Sequence, residues 1–361
     1  MDETQDPHED EGRPRRGRLS RRKKIAILTT LLSVLLCGGL AAAGFGLQNR
    51  YEKQVQRADI LEPPAGPPEE QKQQEQEQEK REKRWEDGPL NLLLLGSDSR
   101  SGEPDQASVS GQRSDTIMLL HLNAARNQAT IVSVPRDSYV HVPQGGANWS
   151  GGMNKLNAAF AFGGPALAAK TMTRLIGVPL DGVIVADFSA VRQMIDAVGG
   201  VRVCLPYDVV MLGSQGGWAK GCHQLDGNEA NELMRQRYGV PGGDFGRIHD
   251  QQLVIKALVE KITKDKVAFN PVRFDRLLTT AAKALVVDRE LDIRKLAMAL
   301  RHIRPDAVEF VTAPHTRTAT IESVGSVVIL DEAKTGSLFA AIRDDTLKQW
   351  VADNPQPPPS Y

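Results

Sequence analysis

Five charged residues flank three short apolar segments of the chain: Asp98, Arg113, Asp115, Arg136 and Asp137. An arginine guanidinium suits a multiply charged anion because it can donate two parallel hydrogen bonds to phosphate oxygens. Carboxylate oxygens suit Mg²⁺, which is commonly held by one or two carboxylates together with phosphate oxygens. Together these residue types are typical of phosphoryl transfer, in which cations take up charge on the phosphate while a hydroxyl attacks in line.

A second polar group is predicted at the start of a helix between residues 242 and 264. At about 100° per residue, Asp244, Arg247 and Gln251 fall on the same face as the aliphatic residues that follow them. A solvated face would place these polar groups opposite the aliphatic ones. Because buried charge is costly without a partner, we expect this first turn to face a polar cavity that holds a complementary ligand.

Arg235 and Arg237 precede this helix at a spacing of two residues. In an extended chain this spacing places both guanidiniums on one side, although Arg235 also suits a helix C-terminus, where a cation is favourable. Lys155 is a further candidate cation, whereas His249 is expected to be a structural residue. The sequence contains no Walker loop, HExxH or GxSxG motif, so the common nucleotide-binding and hydrolase classes are not supported.

The elements that must position these residues begin with three predicted strands, at residues 90–95, 116–122 and 129–134. The short connection between the second and third predicts a hairpin. If the first strand runs parallel to the third, all five charged residues of the first group lie at one end of the sheet, where open α/β sheets bind ligands.

Helices and strands alternate through the rest of the chain, which predicts an α/β fold with a mixed sheet and helices on its faces. Helices are expected at residues 157–176, 189–197, 229–235, 247–263, 273–285, 293–302 and 332–343, and strands at 183–186, 201–205 and 309–312.

Length and composition restrict the class of protein. The 361 residues carry 45 Lys and Arg against 45 Asp and Glu, and this balance argues against a chain-wide polycation that binds nucleic acid. Aromatic residues make up 5% of the chain and the mean hydropathy is -0.34, which excludes a polytopic membrane protein. Three cysteines exclude a disulfide-built scaffold and a four-cysteine zinc module.

An uncharged stretch at residues 25–47 follows a run of basic residues. As a helix it would be roughly 34 Å long, enough to cross a hydrocarbon core of about 30 Å. The basic run predicts that residues 1–24 stay cytoplasmic and that the rest of the chain lies outside the cell. A cleaved signal peptide is the alternative, because the small residues Ala41, Ala42 and Ala43 could precede a cleavage site.

The part of the chain that is predicted to lie outside the cell divides into three segments of different composition. Residues 48–87 are rich in Gln, Glu, Lys and Pro, which predicts an extracytoplasmic polar linker, either a solvated helix or a disordered spacer. Globular patterning extends over residues 88–350, and residues 351–361 are predicted to be a disordered Pro-rich tail. Cys204 and Cys222 are expected to form a disulfide, which an oxidising compartment permits, with two unpaired buried thiols as the alternative.

Seven sequence motifs resemble the LytR-CpsA-Psr (LCP) family in their order and spacing. They are LNLLLLGSDSR, GQRSDTIMLLHL, IVSVPRDSYV, MNKLNAAFAFGG, IDAVGGVRVCLP, QLDGNEANELMRQRYG and GDFGRIHDQQ. The resemblance is dense over residues 88–265 and looser to about residue 350. A membrane anchor followed by an outward-facing domain is also similar to that family.

The resemblance implies a three-layer α/β/α sandwich with a mixed central sheet, preceded by one transmembrane helix. It implies a Mg²⁺-dependent phosphotransferase, with Mn²⁺ as an alternative ion, that moves a glycopolymer from a polyprenyl pyrophosphate carrier onto peptidoglycan. A pyrophosphatase side activity is compatible with this chemistry. The implied location is the cell membrane, with a single pass, an extracytoplasmic catalytic domain and no nucleic-acid partner.

The same resemblance implies a role for each candidate residue. Asp98 and Asp115 are expected to hold the metal ion, and the pyrophosphate ligands are Arg113, Arg136, Arg235, Arg237 and Arg247, with Lys155, Asp244 and Gln251 completing the polar mouth. Within this set we assign catalysis to Arg113 and Arg136, which would stabilise the transferring phosphate, and to Asp244. Asp137 is the alternative to Asp244 as the base that accepts the proton of the acceptor hydroxyl.

A polyprenyl tail would need an apolar slot, and six residues are candidates for its lining, with plain core packing as the alternative. They are Phe160, Phe162, Ile184, Val191, Ile195 and Ile255. Two other functions remain open at this point: a receptor that binds lipid pyrophosphates without turnover, and a membrane-bound transcriptional attenuator. The second lacks a helix-turn-helix pattern or a basic recognition helix in the sequence.

Overall fold

The computed structural model of the chain describes residues 54–61, 68–97, 114–146, 148–210, 216–265, 267, 270–300 and 303–356. The predicted transmembrane segment at residues 25–47 lies outside these ranges, as do Asp98 and Arg113. Within them, no helix combines the length and the apolar character that crossing a bilayer requires.

Strands and helices alternate along the described chain. The strands are β1 (Gln56–Ala58), β2 (Leu90–Ser97), β3 (Ser114–Leu122), β4 (Ala129–Ser133), β5 (Tyr139–Val142), β6 (Gly152–Lys155), β7 (Gly182–Asp187), β8 (Val201–Leu205), β9 (Val209–Val210), β10 (Gly217–Trp218), β11 (Gly221–Leu225), β12 (Leu285–Asp288), β13 (Val308–Thr312), β14 (His315–Ile321) and β15 (Gly325–Leu330). The helices are α1 (Pro68–Asp87), α2 (Leu156–Ile176), α3 (Phe188–Ala197), α4 (Gly227–Arg235), α5 (Asp244–Lys264), α6 (Pro271–Ala284), α7 (Ile293–Leu300), α8 (Glu332–Arg343) and α9 (Leu347–Asp353).

Seven of the strands that the structure describes form the central sheet, in the order β1-β12-β7-β2-β3-β4-β13. β3 is antiparallel to both β2 and β4, so β2 and β4 run in the same direction, as the sequence predicted. β7 is parallel to β2, and β13 is parallel to β4. The start of β3 therefore lies at the same end of the sheet as the ends of β2, β4, β7 and β13.

Successive leucines of β2 pack on opposite faces of the sheet, as the period of two in a strand requires. Leu93 and Leu95 belong to an apolar cluster with residues of α2 and α8. Leu90 and Leu92 belong to a second cluster with Leu296 of α7. Because both faces are covered, the strand is mostly apolar, with buried Asn91 as its polar exception before Gly96 and Ser97. The predicted mixed α/β fold is confirmed.

A third apolar cluster joins α3, α4 and α5 to the hairpin of β8 and β11. In β8, buried Val201, Val203 and Leu205 alternate with exposed residues, so one face of the hairpin packs inward. Cys204 and Cys222 lie opposite each other in the hairpin and form the disulfide that the sequence predicted.

The segment predicted as a polar linker, residues 48–87, contributes to the fold. β1 pairs with β12 at the edge of the central sheet, and α1 follows it. Most of α1 is exposed, but Nε of Arg84 lies 2.6 Å from Oδ1 of buried Asp181, and its main-chain oxygen accepts a bond from Arg126. The solvated helix, one of the two predicted forms of the linker, is therefore found at Pro68–Asp87. The linker prediction did not foresee that β1 and Arg84 make contacts with residues far away in sequence.

The segment predicted as a Pro-rich tail, residues 351–361, is also partly ordered. α9 continues to Asp353 and buries Trp350. Oε1 of Gln356 accepts a hydrogen bond from the Thr312 amide at 2.7 Å, and its Nε2 donates to the Thr312 carbonyl oxygen at 2.6 Å. The chain after α9 is thus bonded to the edge strand β13.

Candidate functional site

Charged side chains from several parts of the fold meet at the end of the sheet where β3 begins and β4 ends. Asp115 is the second residue of β3, and Arg136 and Asp137 lie just beyond β4. Asp244 and Arg247 lie in the first turn of α5. The described members of the first predicted group, Asp115, Arg136 and Asp137, therefore form one cluster with Asp244 and Arg247 of the second group.

Asp115 is the centre of this cluster. One of its carboxylate oxygens contacts Nη1 of Arg136, and the other lies 3.2 Å from Nη2 of Arg237. Nη2 of Arg247 donates to the main-chain oxygen of Asp115 at 3.4 Å. Three of the predicted arginines thus converge on a single residue of the sheet.

Arg247 is almost completely buried, with 1% of its surface exposed, and its Nη2 lies 2.7 Å from Oδ1 of Asp244. Burial lowers the pKa of Arg247 to about 10, although Asp244 opposes the shift, so the side chain is still protonated at neutral pH. Its Nε is buried without a hydrogen-bond partner among the described residues. A buried donor of this kind would be satisfied by an anion bound in the cluster.

Arg136 links the carboxylates of the cluster. Besides Asp115, its guanidinium lies 3.4 Å from Asp244 and 3.6 Å from Asp137. Burial lowers the pKa of Arg136, but the three carboxylates outweigh burial and raise the pKa above its ordinary value. The guanidinium is therefore a fixed positive charge at the end of the sheet.

Lys155 ends β6, and its Nζ lies 3.4 Å from Oδ1 of Asp137. The amide of Asn157, in the first turn of α2, donates to the carbonyl oxygen of Arg136 at 2.9 Å. The start of α2 therefore holds the loop that carries Arg136 and Asp137, and it brings Lys155 to the same loop.

Two glycines position the first turn of α5. Gly243 precedes the helix with a φ of 58°, a left-handed conformation that favours glycine. A Cβ at Gly246 would lie 2.1 Å from the carbonyl oxygen of Pro241, so the turn packs closely against the loop before it. This geometry explains the spacing of glycine in GDFGRIHDQQ, and it presents Asp244 and Arg247 to the end of the sheet.

Gln251 is placed behind the cluster and not in its mouth. Its Oε1 accepts a hydrogen bond from Thr116 at 3.0 Å, and its Nε2 donates to the Met234 carbonyl oxygen at 3.2 Å. The side chain is 2% exposed. Gln251 therefore fixes α5 to β3 and α4, which differs from its predicted role as a direct ligand of pyrophosphate.

Arg235 packs on an aromatic ring. Its guanidinium carbon lies 5.3 Å from the ring centroid of Phe188, the first residue of α3. Phe188 follows β7, whose last residue pairs in register with Ser97 of β2. Arg235 thus lies near the ends of β2 and β7, whereas Arg237 reaches Asp115.

Of the two predicted metal ligands, Asp98 and Asp115, only Asp115 lies in the part of the chain that the structure describes. Both of its carboxylate oxygens contact guanidiniums, yet each oxygen can accept more than one bond, so a metal ion can share it. In the described part of the chain, no group of three or more metal-ligating side chains occurs. The donor therefore fits a Mg²⁺ site completed by phosphate oxygens and water, not an all-protein cage.

Asp250 is a buried acid beside the cluster that sequence reasoning did not select. Its Oδ1 accepts a hydrogen bond from the Tyr207 hydroxyl at 2.8 Å, and burial raises its pKa to about 7. The neighbouring His249 ring lies 6.0 Å from the Tyr207 ring, and burial lowers its pKa, which favours the neutral form. The burial of Asp250 could have been predicted from the aliphatic stripe of α5, because the residue falls among the buried positions of this helix.

The six residues predicted to line a lipid slot do not come together. Phe160 is buried in the cluster of α2 and α8, whereas Ile184 and Ile255 pack on the cluster of the opposite sheet face. Ile195 and Val191 belong to the third cluster, and exposed Phe162 stacks on Trp149. One slot lined by all six candidates is therefore not formed, and the alternative, core packing, holds for the buried residues Phe160 and Ile195.

The sequence is similar to a known family and to curated proteins within it. Residues 66–343 match the LytR_cpsA_psr family. The chain is 34% identical over 268 residues to the probable cell wall biosynthesis protein LcpB of Corynebacterium glutamicum, covering 70% of this chain and 61% of that protein. It is 32% identical over 217 residues to the polyisoprenyl-teichoic acid--peptidoglycan teichoic acid transferase TagU of Enterococcus faecalis, covering 59% of this chain and 66% of TagU. The chain thus spans less than two thirds of the length of these curated relatives.

Solved structures share the fold. Protein gbs0355 from Streptococcus agalactiae superposes with a TM-score of 0.61 at 24% identity, covering 72% of this chain and 88% of that one. TagV of Bacillus subtilis gives a TM-score of 0.59 at 20% identity, covering 72% and 98%. The match to the family spans most of the described residues, including the whole charged cluster. This chain therefore belongs to the LytR_cpsA_psr family.

Proposed function

We propose that this protein is a membrane-anchored phosphotransferase that moves a glycopolymer from a polyprenyl pyrophosphate carrier onto peptidoglycan through a phosphodiester. The observation that carries the proposal is the convergence of Arg136, Arg237 and Arg247 on Asp115, with an unpartnered guanidinium Nε buried among them. The names of the relatives LcpB and TagU support the cell-wall context.

The cluster suits an anion with several charges. In its described part, four cations meet three carboxylates: Arg136, Arg237, Arg247 and Lys155 against Asp115, Asp137 and Asp244. Guanidiniums already held in place lose little conformational freedom when an anion arrives. A diphosphate can engage several of them at once, because its oxygens accept parallel hydrogen bonds.

In the proposed reaction, a hydroxyl oxygen of peptidoglycan attacks the phosphorus atom that carries the glycopolymer. The new phosphorus–oxygen bond forms as the bond to the bridging oxygen breaks, and polyprenyl phosphate leaves. Arg136 stabilises the charge on the non-bridging oxygens. The hydroxyl proton passes to the carboxylate of Asp244, or of Asp137, both of which are partly exposed beside Arg136.

Asp115, together with Asp98, would hold Mg²⁺, or Mn²⁺ in its place, and the bound ion would supply positive charge to the phosphate oxygens. Removal of divalent ions with EDTA should therefore stop transfer. Water in place of the acceptor hydroxyl would hydrolyse the pyrophosphate, which is the proposed side activity.

The decisive experiment incubates the full-length protein in detergent with a lipid-linked oligosaccharide, a peptidoglycan acceptor and Mg²⁺. Formation of a new phosphodiester is followed by mass spectrometry of the digested wall. Arg136→Ala should lower kcat by about 100-fold, in the range found when one donor to a developing charge is lost.

Arg174→Ala is the matched control, because Arg174 is an exposed arginine on α2 away from the cluster. It should leave the rate unchanged. Lipid pyrophosphate that binds without any product would instead favour the receptor function. If the Arg136→Ala protein restores a deletion strain as well as the unmodified protein does, the enzymatic proposal is wrong.

A further inference from the structure

A groove of about 870 Å³ lies beside the charged cluster, on a different face of α5. Phe245, His249, Gln252 and Lys256 line it, at the spacing of one helical stripe. At about 100° per residue, this stripe is rotated by roughly 140° from the one that carries Asp244 and Arg247. The first turn of α5 therefore serves both the cluster and the groove.

The groove reaches the same end of the sheet as the cluster. Its second wall is β13, whose last residue, Thr312, pairs in register with Ser133 at the end of β4. The chain after β4 continues to Arg136. On the helix side, Gly242 and Phe245 line the groove on either side of Asp244, which contacts Arg136 and Arg247. A ligand lying along the groove can therefore present one end to the cluster.

An aromatic pair stands at this end of the groove. The rings of Phe245 and His315 stack with centroids 4.0 Å apart and an interplanar angle of 7°. Burial lowers the pKa of His315, which favours a neutral ring at physiological pH. Flat apolar ring faces with a polar rim suit the carbon–hydrogen face of a sugar, whose hydroxyls need hydrogen-bond partners at its edge.

The charges that line the groove balance, in contrast to those of the cluster. Lys256 and Lys334 occur with Glu309 and Asp331, and Oε2 of Glu309 is a buried acceptor without a hydrogen-bond partner among the described residues. A polyanion would be favoured by an excess of cations. The groove also has apolar side chains, among them Leu253 and Phe310, but the four charged residues interrupt them, whereas a hydrocarbon tail needs a continuous apolar surface. Balanced charge with unused acceptors favours a neutral ligand rich in hydroxyl and amide groups.

We infer that this groove binds the acceptor glycan, so that one sugar hydroxyl is held at the cluster between Phe245 and Asp244. The inference rests on the proposed function, since it assigns the second substrate of the same reaction. It separates the two substrates by charge: the diphosphate of the donor binds the arginines, and the sugar chain of the acceptor binds the balanced groove.

The test measures binding of chitotetraose, a neutral chain of β-1,4-linked N-acetylglucosamine, to the full-length protein by saturation-transfer NMR and calorimetry. His315→Ala should weaken binding by about tenfold, because it removes half of the stacked pair. His141→Ala is the matched control, since His141 is an exposed histidine on the hairpin of β5 and β6. Equal affinity of all three proteins would overturn the inference.

A kinetic measurement separates this inference from the proposed function. In the transfer assay, His315→Ala should raise the KM for the acceptor by about tenfold and leave the KM for the lipid-linked donor unchanged. Transfer with an unchanged acceptor KM would refute the groove and leave the phosphotransferase intact. Tetrasaccharide binding that depends on His315, in a protein that transfers nothing with any donor, would refute the phosphotransferase and leave the groove as a glycan site.

The other occupant to test is the chain itself, because Asn354, Pro355 and Gln356 already line the groove, and Gln356 is bonded to Thr312 at the end nearest the cluster. A chain that ends at Gln356 lacks the last five residues of the sequence. If the groove is a glycan site, this chain binds chitotetraose as the full chain does. Binding that appears only after truncation, or no binding by either chain, would overturn the inference.

Discussion

At the scale of single residues, Asp250 couples protonation to folding close to the cluster. It is fully buried on α5, and its Oδ2 has no hydrogen-bond partner among the described residues. Burial raises its pKa to about 7, and the hydrogen bond from Tyr207 partly opposes this shift. The ionised form is therefore disfavoured in the folded state, and the fold has a cost when this carboxyl loses its proton.

We expect the free energy of unfolding to fall as pH rises from about 4 to about 7, because the folded state then binds more protons at Asp250 than the unfolded state does. Asp250→Asn should reduce this dependence and make the protein more stable than the unmodified chain at about pH 8. Urea unfolding measured at several pH values tests both statements.

Tyr207→Phe provides the control for this titration. It removes the hydrogen bond that lowers the pKa of Asp250, so the loss of stability should move to higher pH. Identical pH profiles for the unmodified chain and the Asp250→Asn protein would show that another group is responsible.

At the scale of elements, α1 is tied to the domain by its last turn. Nε of Arg84 lies 2.6 Å from Oδ1 of Asp181, whose side chain is fully buried. Arg84→Ala would remove the ion pair and leave Asp181 with the hydrogen bond from the Asn91 amide and with the more distant charges of Arg81 and Arg126. We expect the free energy of unfolding to fall by about 3 kcal/mol, the lower end of the range for breaking a buried ion pair.

Lys83→Ala is the matched control for Arg84→Ala. Lys83 pairs with Glu79 on the exposed side of the same helix, so its removal should change stability by less than about 0.5 kcal/mol. Equal effects of the two substitutions in urea unfolding would mean that the helix is not held by Arg84.

The hairpin of β8 and β11 is stabilised by its disulfide. Replacing Cys204 and Cys222 with serine should lower the free energy of unfolding by about 3 kcal/mol, as expected for closure of a loop with a sequence separation of 18. Dithiothreitol should lower the stability of the unmodified protein and leave the serine protein unchanged. A serine protein as stable as the oxidised one would show that the disulfide is dispensable.

Elements with strong apolar patterns could be predicted from the sequence. β2 contains the apolar run at residues 92–95, and α3 was expected at residues 189–197 and is found at Phe188–Ala197. β1 could not be predicted, because its three residues gain their strand partner, β12, from a segment more than 200 residues away. β14 is mostly exposed, so it lacks the alternation that marks a strand.

The site divides in the same way. The meeting of Asp115 with Arg136 follows from a hairpin, which is a local feature of the sequence. The angular position of Gln251 on α5 could be calculated from the sequence. Its role in fixing α5 to β3 and α4 could not be predicted, because its partners Thr116 and Met234 come from those other elements. The groove beside α5 needs β13 and α9, and the sequence gives no local signal for their assembly.

At the scale of the whole molecule, we expect residues 25–47 to keep the protein in the membrane. The full-length chain should sediment with membranes and resist a carbonate wash, whereas a chain without residues 25–47 should not. Mass spectrometry of the membrane-bound protein distinguishes a retained anchor from a cleaved signal peptide. A mature chain that begins shortly after Ala43 would refute the anchor.

The bond between Gln356 and Thr312 has a consequence for how copies of the molecule meet. An edge strand with free amide and carbonyl groups is a template on which another chain can add a strand. At Thr312, one side-chain amide occupies both groups, so that position cannot accept a foreign strand. The segment after α9 thus protects the edge strand β13, at Thr312, against the addition of a strand from another copy of the chain.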